Sequence, residues 1–264
     1  MRRDPGAEFA RAVAFEDAIH DRLSDQTEPF RWGTALFNSQ IPAIYDANFL
    51  RIERADDDIT VEELLTEAER IMEPRGLAHR KVSTADERLG ERLAEGFAEA
   101  GWRVDRLLFM AHRNEPKRDA SVDVDEIVGE LHTRAKEGFS RRDPHFQSEE
   151  EVRQMSLLAQ MVFEVTDKRC FAAYAEGKIA SVCELYSDGL TAQIEDVATF
   201  EEHRGKGLAT AVVLRALHEA RAWGHETIFL VADADDWPKD LYEQLGFEGM
   251  RRTYQFLRRP QVAT

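Results

Sequence analysis

Residues 203–210 read HRGKGLAT, and the fold turns on how they are read. Two glycines flank a lysine, an arginine precedes them, and the apolar run LATAVVLRALHEARAW (208–223) follows. That run has helical spacing, with Leu208, Val212, Val213 and Leu217 on one face. A strand that enters a tight glycine turn and then a helix leaves unpaired backbone N–H groups at the positive end of the helix dipole, where an anion binds. Arg204 and Lys206 add full charges, while Gly205 and Gly207 let the backbone approach a phosphate and adopt positive φ. A pyrophosphate is the natural guest. A P-loop is excluded because Gly207, not Ser or Thr, follows Lys206 and no upstream glycine has the required spacing. A dinucleotide fingerprint is excluded because Thr210 stands where its third glycine belongs, and because antiparallel strands precede the motif.

Upstream of the glycines, RCFAAYAEGKIASVCELYSDGLTAQIEDVATF (169–200) reads as three antiparallel strands with turns at Glu176-Gly177 and Asp188-Gly189. A two-residue first turn sets Cys170 opposite Cys183, so the pair is expected as two buried thiols or a cross-strand disulfide. Two helical runs come before the strands, DEIVGELHTRAKEGFSRR (125–142) and SEEEVRQMSLLAQMVFEVTD (148–167), the second opening with Ser148 and Glu151 in capping-box register. After the glycine helix come a strand TIFLVA (227–232), a short helix PKDLYEQLGF (238–247) with Asp236 as its cap, and a final strand pair. The expected order is ααβββαβαββ.

The first half echoes the second. AGWRVDRLLFMAHR (100–113) lies on LGFEGMRRTYQFLR (245–258) without a gap, Gly101 on Gly246 and Arg113 on Arg258. At the same offset VEELLTEAERIMEPRG (61–76) falls over the glycine helix. The polar stretch RNEPKRDAS (113–121) makes the best linker, which divides the chain into 1–118 and 119–264. Where the second half has its glycine loop, the first has RADDDITVEE (54–63), whose carboxylates suit a helix start and repel a diphosphate.

Composition narrows the function. The chain has 264 residues, 43% of them hydrophobic, with 51 acidic against 35 basic residues and a net charge of -16. That balance argues against nucleic acid and favours neutral or cationic partners. No apolar stretch is long enough to span a bilayer, the N-terminus is charged throughout, and only two cysteines occur, so the chain reads as cytoplasmic. The eight histidines fall in no metal-ligand spacing, and Gly-x-Ser-x-Gly is absent, so no metal is expected.

Arg204-Gly205-Lys206-Gly207-Leu208-Ala209 resembles the Arg/Gln-x-x-Gly-x-Gly/Ala loop of the GNAT superfamily of acyl-CoA-dependent N-acetyltransferases, and LYEQLGF (241–247) resembles its second hallmark. Both stand in the family's order, so the chain resembles a tandem GNAT protein with a degenerate first half. The fold class implied is α+β, two GNAT-like units, each a mixed and mostly antiparallel twisted sheet flanked by helices. The resemblance implies that Val197, Ala198 and Thr199 bind the pantetheine arm of acetyl-CoA, the acyl donor. It assigns Arg204, Gly205, Lys206, Gly207, Leu208, Ala209 and Thr210 to the pyrophosphate. Backbone amides near Val197 and Ala198 would polarise the thioester carbonyl. Glu195 is the candidate base, with Asp196 or a water relay as alternatives, because a β-bulge would exchange the two carboxylates. Tyr242 corresponds to the family's general acid for the departing thiolate. Asp235 departs from the pattern, standing where many relatives carry Asn. The implied activity is transfer of an acetyl group to a primary amine, small or peptidic and suited to be cationic, in a ternary complex. A mycothiol-synthase-like amino-sugar acetyltransferase and a non-catalytic acyl-CoA sensor are the alternatives; the oligomeric state is not legible.

Overall fold

The computed structural model describes residues 4–146 and 148–259. The first half contains α1 (Pro5–Leu23), β1 (Gln26–Phe30), β2 (Gly33–Phe37), β3 (Phe49–Ile52), α2 (Val61–Met72), β4 (Arg80–Thr84), α3 (Glu87–Glu99) and β5 (Arg103–His112). Then follow β6 (Val124–Glu126), α4 (Gly129–Ser140), α5 (Glu149–Val165), β7 (Asp167–Ala175), β8 (Lys178–Ser187), β9 (Thr191–Thr199), α6 (Leu208–Ala222), β10 (Thr227–Asp233), α7 (Pro238–Gln244) and β11 (Phe247–Arg258). The class is α+β, as expected. Two details differ from the sequence reading. The short strand β6 precedes the helices, and a single long strand, β11, stands where a pair was expected. Val124–Glu126 is too short to show alternation, while Gly249, the one break in the FEGM segment, is absorbed into a continuous strand.

The chain forms two compact units whose limits cross the boundary expected at residue 118. The larger unit runs to Ile19 and includes Phe109–Ala232 and Asp236–Met250. The smaller includes His20–Leu108, Asp233–Asp235 and the chain from Arg251 onward. The reason lies in packing that connectivity does not reveal. Phe9 and Phe15 of α1 contact Phe109 and Phe229 edge-on, at 5.4 and 5.8 Å between centroids. The second part of β11, Tyr254 to Arg258, pairs antiparallel with Thr84 to Arg80 of β4.

In the smaller unit the strand order is β1-β2-β3-β4-β11, antiparallel except for the parallel pair β3 and β4. The apolar faces of α2 and α3 cover it, burying Leu64, Ala68, Ile71, Leu89, Leu93 and Phe97. Phe97 stacks on Phe256 of β11 at 4.1 Å. Gly90 of α3 makes room for Tyr254, since a Cβ there would overlap that ring.

In the larger unit β10-β9-β8-β7-β6 follow one another, with only β10 and β9 parallel. Helix α6 buries Leu208, Val212, Val213 and Leu217, the face expected from spacing. The Ser148 capping box opens α5 as anticipated. The turn between β7 and β8 has Glu176 and Gly177 at φ 54° and 74°, the left-handed pair of a two-residue hairpin. Beyond it the cysteine register fails. The pairing shifts between Ala173 and Tyr174, so Cys170 faces Glu184 and Cys183 faces Phe171. One inserted residue sends the two thiols to opposite faces of the sheet, and both are free and buried. Asp236 likewise misses the cap: it accepts a bond from Trp237 N at 2.7 Å, one residue short of the helix start.

Candidate active site

The glycine loop sits where the helix needs it. Glu201–His203 form one 3-10 turn, Gly205 has φ 75°, and Gly207, at φ 78°, is the N-cap of α6. A residue with a Cβ is costly in that conformation, which is the local reason for both glycines. Gly207 has no side chain to cap the helix and the first turn of α6 holds no acid, so its leading N–H groups have no carboxylate competing for them. Arg204, Gly205, Lys206 and Gly207 are exposed, whereas Leu208 and Thr210 are buried. Lys206 Nζ lies 3.2 Å from His203 Nδ1.

The matching helix start in the first half is closed. Thr60 and Glu63 form a full capping box on α2, with Glu62 and Glu63 in its first turn. Arg31 pairs with Asp58 at 2.7 Å, and Arg92 donates to the carbonyls of Ile59 and Asp56 at 2.7 and 3.2 Å. The amides of Thr60 and Glu63 are already satisfied there, and the first-turn carboxylates stand where a phosphate would.

Just before the glycine loop, β9 parts from β10. Their parallel register runs from Thr191 opposite Thr227 to Ile194 opposite Leu230 and stops. On its other side β9 continues against β8, with Ala198 opposite Val182 and Thr199 opposite Ser181. Val197, Ala198 and Thr199 therefore lie in the part of β9 that β10 does not pair, and they are half-buried, unlike Thr191–Ile194. Such an unpaired edge can accept an extended ligand as if it were a strand.

A β-bulge falls at the same place. Glu195 faces Glu184 and Ala198 faces Val182, so Asp196 and Val197 together oppose Cys183, and Asp196 has φ 57°. Without a bulge Asp196 would point away from Glu195. Instead its carboxylate forms an ion pair with Lys136 of α4. Burial pulls Lys136 below its ordinary range, against the opposing charges of Glu184 and Glu195. Glu195 accepts a bond from Gln193 Nε2 at 2.7 Å.

Tyr242 of α7 is buried, with its ring edge-on to Phe247 at 6.3 Å. Burial, and then the charge of Glu195, hold its phenol above the usual 10. Asp235 belongs to the smaller unit, where it pairs with Arg106 at 3.3 Å.

Sequence reasoning missed the polar cluster beneath this site. Glu184, 3% exposed, accepts from His132 Nε2 at 2.7 Å, Lys168 Nζ at 2.8 Å and Tyr186 Oη at 2.6 Å. Burial alone would raise its carboxyl, but Lys136, His132 and Lys168 override that and hold it well below the carboxylate range. The signal was present in Lys168 and Glu184, each breaking the apolar inward alternation of its strand. His132, Cys170 and Glu184 bring three ligand atoms within 4.8 Å. Burial pushes the Cys170 thiol up to about 12, and Lys168 supplies the counter-charge to Glu184, so the donor set suits an internal ion pair better than a metal.

Residues 130–247, from α4 to the start of β11, match the family described as Acetyltransferase (GNAT) family, and this segment is a GNAT acetyltransferase domain. Its family transfers acetyl groups from acetyl-CoA. Around that domain the chain as a whole has the tandem GNAT fold. A GCN5-related N-acetyltransferase from Kribbella flavida is 16% identical, with 95% of this chain and 96% of that one covered and a TM-score of 0.62. A functionally unknown conserved protein from Staphylococcus epidermidis is also 16% identical, at 90% and 95% coverage and a TM-score of 0.68. A tandem GNAT protein from the clavulanic acid biosynthesis pathway is 14% identical, at 81% and 76% coverage and a TM-score of 0.53. No curated protein matches the chain. No helix among the described residues is long and apolar enough to cross a membrane.

Proposed function

We propose that the protein is an acetyl-CoA-dependent N-acetyltransferase that acts on a primary amine by direct transfer in a ternary complex. The observation that carries this reading is the coincidence of two open backbone features: β9 unpaired by β10 beyond Ile194, and α6 starting at Gly207 with no side-chain cap. The first receives the pantetheine arm along Val197, Ala198 and Thr199. The second receives the pyrophosphate on the amides from Gly205 to Thr210, with Arg204 and Lys206 as flanking charges. The arm then brings the thioester to the bulge, where backbone N–H groups near Val197 and Ala198 stabilise the developing oxyanion.

An alkylammonium must lose a proton before it attacks. Glu195 takes it, because Asp196 is engaged with Lys136. Tyr242, which burial keeps protonated, gives a proton to the departing thiolate. The first half, 1–118, is a degenerate copy whose helix start has no place for a diphosphate. A net charge of -16 supports a cationic acceptor. Thiol release from acetyl-CoA across a panel of polyamines, aminoglycosides, amino sugars and peptides tests the reading. Turnover on at least one amine is expected, and tight CoA binding with none on any would instead indicate an acyl-CoA sensor.

A further inference from the structure

A hydrogen-bonded chain enters the larger unit's site from outside the family-matched segment. It begins at Glu16 on α1, near the opposite end of the sequence. Gln193 Nε2 lies 2.7 Å from Glu16 Oε1 and 2.7 Å from Glu195 Oε2. An amide nitrogen has two hydrogens, and here one goes to each carboxylate. Gln193 is 4% exposed and held in β9 between Tyr186 of β8 and Phe229 of β10. Phe15, the neighbour of Glu16, packs on that same Phe229. A buried amide with both hydrogens committed cannot rotate without stranding a donor, so its direction is fixed from both ends.

We propose that Gln193, anchored by Glu16 of α1, is a positioning residue that aims the Glu195 carboxylate and keeps it ionised for proton abstraction; this rests on the reading of Glu195 as base. The same device makes α1 part of the catalytic apparatus, although it lies far from residues 130–247 in sequence. Several groups set the charge state of Glu195. Glu184 stands opposite it on β8, with Tyr186 and the β7 residue Lys168 around Glu184. Lys136 of α4 and Tyr242 of α7 interact with it through charge, Glu16 of α1 reaches it through Gln193, and Asp196 follows on β9. The carboxylates oppose ionisation of Glu195, while Lys136 and the Gln193 amide favour it.

The test follows the Glu195 carboxyl by carbon-13 NMR during a pH titration, alongside the ascending limb of kcat/KM. Gln193→Met removes the donor, and both titrations are expected to move up by about one unit, with roughly tenfold lower kcat/KM below the limb. Glu16→Gln keeps an acceptor for Gln193 but removes a like charge, so both titrations move down. A merely structural role for the pair would change thermal stability and leave the two titrations in place. Unshifted Glu195 resonances in both folded variants overturn the proposal. Shifted resonances beside turnover that Glu195→Gln leaves intact support the positioning and overturn Glu195 as the base.

Discussion

On the proposed mechanism, Tyr242 is the residue on which the chemistry of the departing group depends. It lies in the segment that matches the GNAT family, and its buried phenol is kept protonated across the working range. Tyr242→Phe should lower kcat by about 10²- to 10⁴-fold while leaving the KM for acetyl-CoA near its original value, as expected for a group that acts only on the leaving thiolate. Steady-state kinetics at saturating amine checks this. Because burial raises the phenol, the wild-type kcat should show no descending limb from Tyr242 below pH 10. His79 carries a different pH dependence. It is 1% exposed, its Nε2 bonds the Asn48 carbonyl at 2.9 Å, and burial lowers its pKa to about 4 from 6.5. Between those values the unfolded chain binds a proton that the folded one does not, so stability is full above pH 6.5 and falls as the pH drops toward 4. The loss attributable to this group is about 3 kcal/mol. Urea melts at pH 6.5 and 4 should show a smaller loss in His79→Gln by about that amount. Of these residues, Tyr242 stands out in the sequence because a local motif surrounds it, and its short helix is where that motif placed it. Glu184 does not, since its partners His132, Lys168 and Tyr186 come from three different elements.

Among the elements, the starts of α5 and α6 were read best, whereas Asp236 falls one residue short of the start of α7. Capping boxes, glycines and charged first turns are local chemistry, and the contrast between the closed start of α2 and the open start of α6 follows from Thr60 and Glu63 on one side and Gly207 on the other. Register was read worst. A single extra residue in β8, Ala180, opposite the step from Ala173 to Tyr174 moved Cys183 away from Cys170, and another at Asp196 turned its carboxylate toward Lys136. Bulges of this kind are fixed by how neighbouring strands and helices pack, which alternation in one strand does not encode. Packing of α3 against β11 gives the element-scale prediction. Because a Cβ at Gly90 would collide with Tyr254, Gly90→Ala should destabilise the protein by about 1–3 kcal/mol despite the better helix propensity of alanine. Chemical denaturation checks it, and an unchanged or higher midpoint would show that the ring has room to move.

At the scale of the whole molecule, the internal repeat was visible because matching segments kept their conformations. Gly101 and Gly246 both have positive φ, and β5 and β11 both follow them. Which residues pack together was not visible, since Phe9 and Phe15 meet Phe109 and Phe229 across long stretches of chain. On the proposed reading the repeat makes a numerical statement about function: of two corresponding helix starts, the capped one of α2 and the uncapped one of α6, the second alone holds a diphosphate. Titration calorimetry with CoA, on wild type and on Gly207→Asp, tests it most directly. One CoA per chain is expected, with affinity at least about tenfold weaker once a carboxylate is placed at the start of α6. Two CoA per chain, or binding that is indifferent to Gly207→Asp, would contradict it.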